Sequence, residues 1–175
     1  MNDPDSNSLC LECGLCCNGV IFADVQLQPR DNAAKLRALG LAFPPNRQSA
    51  IANRKFQQPC TAFEGCRCRI YSDRPTYCRE FECLLLKSVK AGHTDIDEAR
   101  RIIRSALRRV KKVKRLLRAL GDTDETLALG KRFRRMKRKL ESIHLDDETA
   151  EKFGDLTLAF HDLNVLLSEA FYNDM

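Results

Sequence analysis

The sequence predicts a mainly α fold, in which an irregular, cysteine-rich module at residues 1–90 precedes an antiparallel three-helix bundle at residues 91–175. All nine cysteines lie within the first 83 of the 175 residues. From about Asp95 onward, apolar side chains recur with the 3.6-residue period of an amphipathic helix. The links between the helical segments are short, which is typical of antiparallel bundles. The length fits one domain, or one domain with a helical appendage.

The cysteine-rich module is predicted to contain only short regular elements. Gly14 and Gly19 permit the unusual backbone angles with which a chain wraps around a metal. The alternating apolar residues of Val20–Leu27 predict a short strand. Residues 59–83 are predicted to form short turns between cysteines.

A short helix is predicted to follow that strand. It starts at Gln28–Asp31, where Pro29 suits the first turn because its fixed φ matches the helix. Gly40 is a typical residue to end it. The segment Phe43–Asn46, with its two prolines, is predicted to be a loop.

Three amphipathic helices are predicted in the second half of the chain. They span residues 95–120, 124–143 and 147–171, and residues 94–95 and 146–147 provide N-terminal caps for the first and third. The residues predicted to face inward are Ile96, Ala99, Ile102, Ile103, Ala106, Val110, Val113, Leu117, Leu120, Leu127, Phe133, Met136, Leu140, Ile143, Ala150, Phe153, Leu156, Phe160, Leu163, Leu166, Leu167 and Ala170.

The N-terminus shows no features of a secretory leader. Residues 1–8 are polar and acidic, with neither a basic nor an apolar segment, and the chain has no run of about 18 apolar residues to span a membrane. We therefore expect a cytoplasmic protein. Disulfides are rare in such a reducing compartment, and an odd number of cysteines argues further against full pairing. Metal ligation is the remaining common use of clustered thiols.

The first cysteines have a spacing that is typical of metal sites. Cys10, Cys13 and Cys16 reproduce the first three positions of the bacterial ferredoxin run. Cys17 follows Cys16 directly, so a fourth ligand has to come from residues 60–83. Adjacent cysteines suit two neighbouring metal centres, or one ligand and one packed thiol. Eight thiols supply either two zinc sites of four thiolates each, or one four-iron cluster with further thiols in reserve.

Two motifs of fixed spacing occupy residues 10–83. The first reads Cys10-x2-Cys13-Gly14-x-Cys16-Cys17, and the second reads Pro59-Cys60, then Cys68-Arg69-Ile70-Tyr71-x2-Arg74-Pro75-x2-Cys78-Arg79-x-Phe81-x-Cys83. Together they resemble the YkgJ-type CxxCxxCC cysteine-cluster family, which is described as a zinc- or iron-chelating domain. The resemblance implies eight matching cysteines and leaves Cys66 outside the pattern. The implied metal ligands are Cys10, Cys13, Cys16, Cys17, Cys60, Cys68, Cys78 and Cys83.

Two arginines of the second motif are candidate charge partners of the metal. A zinc ion held by four thiolates carries two excess negative charges, so the guanidinium groups of Arg74 and Arg79 would lower its energy. The alternative is that Arg74 caps a turn with Asp73 and that Arg79 is solvated. All three histidines lie outside the cysteine array, so we do not expect an imidazole ligand.

Charge is distributed unevenly along the chain. Residues 100–139 contain 17 basic and 3 acidic side chains, whereas residues 140–175 contain one basic and nine acidic side chains. The basic segment suggests contact with nucleic acid or another polyanion. The alternative is a solvated face that the acidic third helix neutralises in part. The candidate polyanion contacts are Arg104, Arg108, Arg109, Lys111, Lys112, Arg115, Arg134, Arg135 and Arg138.

The sequence therefore leaves three functional hypotheses. The first is a metal-binding protein that holds an iron–sulfur cluster or zinc through its cysteines, with iron–sulfur slightly favoured by the ferredoxin-like spacing. The alternative is a zinc-stabilised module whose basic helices contact nucleic acid or an anionic protein partner. An enzyme in which an open iron site or a reactive Cys17 or Cys66 does the chemistry ranks last, because the sequence identifies no small-molecule substrate, general base or catalytic triad.

Overall fold

The computed structural model describes residues 4–43 and 54–172, and the fold in these ranges is mainly helical, as predicted. None of the described helices is both long enough and apolar enough to cross a membrane. The helices are α1 (Pro4–Cys13), α2 (Ala33–Ala38), α3 (Thr76–Glu80), α4 (Leu84–Lys90), α5 (Ile96–Ala119), α6 (Leu129–Glu141) and α7 (Asp147–Ala170). The strands are β1 (Asp24–Gln26), β2 (Lys55–Gln57), β3 (Phe63–Glu64) and β4 (Arg67–Cys68), and Tyr71–Asp73 forms a 3-10 turn.

The larger core lies between the three helices that the sequence predicts. The helix α5 packs mainly against α7 and also contacts α6. The predicted caps are confirmed, because the carboxylates of Asp95 and Asp146 accept hydrogen bonds from the first turns of α5 and α7. The buried apolar residues of these helices are Ala99, Ile103, Ala106, Val110, Val113, Leu117, Leu129, Phe133, Met136, Leu140, Leu156, Ala159, Leu163 and Leu167.

The second long helix is shorter than predicted. Its predicted start at Asp124 is wrong, because the Asp124 carboxylate accepts hydrogen bonds from the N–H and hydroxyl of Thr126, at 3.2 and 2.5 Å, and forms a turn there. The helix also ends at Glu141, so Ile143 is 54% exposed and does not face inward. Ala150 is exposed as well, one turn into α7.

The sequence does not predict α1 and α4, which join the cysteine-rich segment to the bundle. Both helices contact α5. The side chains of Leu9 in α1, Leu15 just after it and Leu85 in α4 belong to the same core as α5, α6 and α7. Cys10 and Cys13 therefore lie on a helix that the sequence analysis did not predict.

A second, smaller core supports the other cysteines. β1 pairs antiparallel with β2, and Val25 lies opposite Phe56. The strand is shorter than the predicted Val20–Leu27. The following helix starts after Asn32, whose side chain accepts the N–H of Lys35, and Pro29 lies outside that helix. Residues 44–46 of the predicted Phe43–Asn46 loop lie outside the described residues. The buried members of this core are Val25, Leu27, Leu36, Leu41, Phe56, Ala62 and Ile70.

Candidate metal centre

All nine cysteines line one cavity of about 190 Å³. Much of the remaining wall is apolar and aromatic. It includes Phe22, Tyr77 and Phe81, whose ring centroids lie 4.8 to 5.9 Å apart. The structure thus brings the eight predicted ligands together from both motifs. That they bind metal remains a prediction.

The first motif continues from a helix into a tight turn. Cys10 and Cys13 lie in α1, and Gly14 ends that helix with a φ of +62°, which favours glycine. The backbone N–H of Cys17 donates to the carbonyl of Gly14 at 3.0 Å. Cys16 and Cys17 are therefore held in a turn directly beside the end of α1.

The second motif places four cysteines on four different short elements. Cys60 follows β2, and its backbone N–H donates to the carbonyl of Cys17 at 2.8 Å, which ties the two motifs together. Cys68 ends β4, Cys78 lies in α3, and Cys83 is the N-terminal cap residue of α4. The turns between cysteines that the sequence predicts are therefore present, with short helices among them.

A carboxylate outside both motifs positions the helix that carries Cys78. Asp31 accepts hydrogen bonds from the N–H and hydroxyl of Thr76, at 2.9 and 2.8 Å, at the start of α3. Burial alone would raise the pKa of Asp31, but these hydrogen bonds outweigh it and hold that pKa below its ordinary value. Sequence analysis missed Asp31, because 45 residues separate it from Thr76 and no local pattern signals the contact.

Cys83 acts electrostatically on the pKa of three cysteines of the first motif. Burial is the main cause that raises the pKa of Cys10, Cys13 and Cys16, and the neighbouring Cys83 raises each of them further. The pKa of Cys13 reaches about 12, although the N–H of Leu15 lowers it. We call Cys10, Cys13, Cys16 and Cys83 the first thiol set.

A second group of four thiols consists of Cys78 and the three cysteines that raise its pKa. Burial, followed by Cys17, Cys60 and Cys68, raises the pKa of Cys78 to about 12. Burial, followed by Cys60 and Cys68, raises the pKa of Cys17 to about 12 as well. We call Cys17, Cys60, Cys68 and Cys78 the second thiol set. The two sets adjoin, because Cys16 and Cys17 are neighbours in the chain. Cys17 also raises the pKa of Cys13 and Cys16, so the two sets influence each other.

Arg74 lies close to both thiol sets. Its guanidinium carbon lies 3.7 Å from the centroid of the Tyr71 ring, and its Nε donates to the Tyr71 carbonyl at 3.1 Å. The positive charge of Arg74 lowers the pKa of Cys10 in the first set, and of Cys17 and Cys78 in the second, although burial dominates all three. This is the position that a charge partner of a thiolate-bound metal requires.

The sequence offers two alternative roles for the arginines of the second motif: a turn cap for Arg74 and a solvated side chain for Arg79. Arg74 does cap the Tyr71–Asp73 turn, because it is the C-cap residue and its Nε donates to the Tyr71 carbonyl, whereas the Asp73 carboxylate pairs with Lys35 at 2.6 Å. Arg79 is exposed, although it also lines the cavity. A charge contribution from Arg79 remains a prediction.

Cys66 occupies a different kind of position from the other eight cysteines. Like Cys10 it is exposed, but unlike the other cysteines it lies, with Gly65, in the two-residue turn between β3 and β4. Both residues have positive φ, +51° at Gly65 and +65° at Cys66, which is typical of a tight hairpin turn. Its place at the tip of the hairpin makes Cys66 a suitable control for substitutions in the two sets.

The donor atoms around the cavity suit a soft metal. Thiolates are the preferred ligands of zinc and of iron–sulfur clusters, and here they line one cavity. Among the described residues, no three Cys, His, Asp or Glu side chains already stand where they would hold a metal ion. Metal binding therefore has to draw the sulfurs of a set together and remove their protons.

We expect the metal-free protein to lose stability at alkaline pH. A thiol whose pKa is raised in the folded state stays neutral, while in the unfolded chain it ionises from its ordinary value of 9.0. Proton release therefore favours the unfolded state as the pH rises. With chelator and reductant present, the melting temperature is expected to stay level up to about pH 8 and to fall between about pH 9 and 12. A level melting temperature across that range would contradict the raised pKa values.

Gly14 provides a second test of the site's geometry. A Cβ atom at Gly14 would lie 2.4 Å from Cζ of Phe63, and the residue has positive φ. We expect Gly14→Ala to lower the free energy of unfolding by about 2–4 kcal/mol, from backbone strain and overpacking together. Gly92→Ala is the matched control, because Gly92 also has positive φ but no atom lies within 4 Å of its Cβ position. Denaturant unfolding of both variants measures the difference, and equal losses would show that the contact with Phe63 is unimportant.

The candidate polyanion contacts lie on α5 and α6, and most of them are free. Arg109 donates to the carbonyl of Asp162, and Arg135 pairs with Asp122 and Asp124. Within residues 4–43 and 54–172, no ion pair joins a carboxylate of α7 to α5 or α6, so α7 does not neutralise these helices by direct pairing. The basic residues that do pair use carboxylates outside α7. The seven other candidates are exposed and lack an ion-pair partner in the same ranges. We call them the uncompensated basic face: Arg104, Arg108, Lys111, Lys112, Arg115, Arg134 and Arg138.

Comparison with known proteins supports a metal site in this part of the chain. The model of the CxxCxxCC family, described as "Putative zinc- or iron-chelating domain", matches residues 9–102. The match covers more than half of the chain and includes both motifs and all nine cysteines. No curated protein and no solved structure matches the chain.

Proposed function

The chain belongs to the CxxCxxCC family, and we propose that it holds metal through its two thiol sets, with one centre in each. The observation that carries this proposal is that the eight cysteines of both motifs line one cavity. We assign them to two sets of four from their electrostatic effects on one another. Four thiolates are the ligand number of a structural zinc ion and of a four-iron cluster. Arg74, which lies near both sets, would offset part of their negative charge.

We favour iron–sulfur clusters over zinc. The spacing of Cys10, Cys13 and Cys16 is that of the ferredoxin run. The thiols surround a space of about 190 Å³, which suits a cluster that brings its own sulfide. A zinc ion instead requires four sulfurs at about 2.3 Å from a single point.

The test is the metal and acid-labile sulfide content of the full-length protein purified without oxygen, together with its visible spectrum. Two four-iron clusters predict about eight iron and about eight sulfide per chain, with broad visible absorbance. About two zinc per chain without sulfide would mean that each of the two centres holds a zinc ion instead of a cluster. A protein that contains no metal and takes up neither iron nor zinc would refute the proposal.

We further propose that the uncompensated basic face contacts the phosphate backbone of a nucleic acid. Arg104, Arg108, Lys112 and Arg115 follow one another at helical spacing along α5, and at 1.5 Å per residue they span about 16 Å. Exposed cations without carboxylate partners attract a polyanion, because each neutralised phosphate releases a counterion.

The aromatic content of the basic segment argues against recognition of the bases of a single-stranded nucleic acid. Phe133 is the only aromatic residue of the basic segment 100–139. It is buried and stacks on Phe160 with ring centroids 3.9 Å apart, so it is not available to stack on a base. The contact that we propose is therefore electrostatic and independent of base sequence.

We expect the salt concentration that elutes the protein from a nucleic-acid column to fall when this face is altered. The variant Arg108→Ala, Lys111→Ala, Lys112→Ala removes three exposed cations, and each lost phosphate contact reduces the salt dependence of binding by about one counterion. The matched control is Arg30→Ala, Lys35→Ala, Lys55→Ala, which removes the same charge from side chains that pair with carboxylates. Equal elution of both variants would mean that only net charge matters and would reject the face as a binding site.

A further inference from the structure

One side chain in the wall of the cavity lacks the hydrogen bond that its burial requires. Gln58 is 2% exposed and lines the same cavity as the cysteines. Within the described residues, its Oε1 atom has no hydrogen-bond partner. A buried carbonyl oxygen without a hydrogen bond destabilises the fold, because it has lost its contact with water. Such a group is retained where it has a partner in the functional state of the protein.

The backbone on both sides of Gln58 is fixed in place. Its own N–H donates to the carbonyl of Ala23 at 3.2 Å, and the N–H of Cys60 donates to the carbonyl of Cys17 at 2.8 Å. The side chain therefore starts from a defined point between β1 and the second thiol set. Its position in the cavity wall does not depend on a mobile segment.

The missing partner has to be a hydrogen-bond donor, because Oε1 only accepts. Thiolates that bind a metal have lost their protons and cannot donate. Arg74 already donates to the Tyr71 carbonyl and packs on its ring. Arg79 and Lys90 also line the cavity, but no donor of the described residues reaches Oε1. The donor is therefore best supplied by a molecule that enters the cavity from outside the chain.

We propose that the cavity binds, beside the metal, a small ligand with an O–H or N–H group, and that Gln58 accepts a hydrogen bond from this ligand. The inference rests on the proposed metal-binding function. Water is the smallest ligand of this chemistry, and a small alcohol or amine is the alternative source. Gln58 is in this sense a positioning residue, since it holds a ligand next to the metal without binding the metal itself.

The experiment uses the full-length protein with a paramagnetic centre: Co²⁺ where the thiol sets bind single ions, or the reduced iron–sulfur cluster, with loss of cluster iron as the affinity readout, where they hold clusters. Hyperfine spectra in H₂O and D₂O detect exchangeable protons near the metal, and ¹⁷O-labelled water identifies a water ligand. Competition with a chelator gives the affinity for Co²⁺. The variants are Gln58→Met, which keeps the length but removes the acceptor, and Gln58→Glu, which keeps an acceptor. The control is Gln57→Met, because Gln57 is the exposed neighbour.

Backbone N–H groups beside the sulfurs also exchange with D₂O, so the readout is the difference between variants. We expect wild type, Gln57→Met and Gln58→Glu to show one exchangeable proton signal more than Gln58→Met. The affinity of Gln58→Met for Co²⁺ is expected to fall about 10- to 100-fold, as is usual when a partner beyond the metal ligands is lost. Its metal-free melting temperature should not fall, because the substitution removes an unpaired polar group. Line broadening by ¹⁷O-labelled water would identify water, and an exchangeable proton without broadening would identify another ligand.

An unchanged proton signal in Gln58→Met, with Co²⁺ affinity within about twofold of wild type, would overturn the inference and leave the metal site intact. Wild-type protein that binds neither Co²⁺ nor iron would overturn the proposed function, and the inference with it. The two failures are therefore distinguishable.

Discussion

Substitution of two cysteines from one thiol set is expected to remove about half of the bound metal. The variant Cys13→Ser, Cys83→Ser disables the first set, and Cys60→Ser, Cys78→Ser disables the second. A serine hydroxyl does not replace a soft thiolate, so a set with two remaining thiolates cannot hold its metal. The other set keeps four cysteines and its own metal. The measurement is metal per chain in purified protein, with the visible spectrum where iron is present.

Cys66→Ser is the control for this experiment, because Cys66 lines the cavity but lies exposed at a hairpin tip. We expect it to keep all of its metal. Loss of all metal in both double variants would contradict two centres and would instead indicate one cluster that takes ligands from both sets. Loss in one double variant alone would mean that only that set binds metal.

Disabling a set is expected to affect folding as well as metal content. The smaller core contains only a few apolar side chains, and several of its neighbours are themselves cysteines of the second set. The free energy with which zinc binds a structural site is about 10–16 kcal/mol in small zinc peptides, and it contributes directly to folding. Limited proteolysis is therefore expected to cut Cys60→Ser, Cys78→Ser within residues 54–83 before it cuts the long helices.

Local sequence patterns predicted the parts of the fold that local interactions determine. The helix α5 has a carboxylate cap at Asp95 and an apolar residue at nearly every third or fourth position, so both its ends and its buried face followed from the sequence. The helix α1 was missed, because its first turns are polar and its apolar contacts are with distant residues such as those of α5.

The candidate metal centre was predictable in its members but not in their grouping. The motifs and the family resemblance identified eight cysteines. The proposed grouping puts Cys83, from the end of the second motif, with the three spaced cysteines of the first, and puts Cys17 with the other three. This grouping depends on how α1 and α4 pack on α5, which is a tertiary contact that no spacing rule contains. The same limit explains why Asp31 and Gln58 were not identified as parts of the site.

Arg132 shows how misleading a run of charges is when the fold is unknown. In the sequence it is one of seven basic residues between 131 and 139. In the structure its side chain is 1% exposed, and its Nε donates to the Asp122 carboxylate at 2.6 Å. The carboxylate is itself 3% exposed and also pairs with Arg135. The ion pair therefore lies inside the protein, where it connects the α5–α6 loop to α6.

Asp122→Ala is expected to be among the most destabilising single substitutions in the chain. It leaves the guanidinium of Arg132 buried without its carboxylate, and breaking a buried ion pair in this way costs about 3–5 kcal/mol. The measurement is the free energy of unfolding in denaturant. Asp124→Ala is the matched control, because Asp124 also pairs with Arg135 but is 38% exposed, and we expect a much smaller loss.

The double variant Asp122→Ala, Arg132→Met distinguishes the destabilisation caused by an unpaired buried charge from that caused by the lost contact of the loop. Methionine fills much of the space of the arginine stem without a charge, so the double variant should recover part of the stability that Asp122→Ala loses. If it unfolds as readily as the single variant, the loss came from the loop and not from the buried charge.

The α5–α6 loop also matters for the cysteines, because the backbone N–H of Leu129, at the start of α6, donates to the carbonyl of Gly19 at 2.8 Å. Loosening this loop therefore weakens a contact that holds the first motif against the bundle, and metal affinity should fall together with stability.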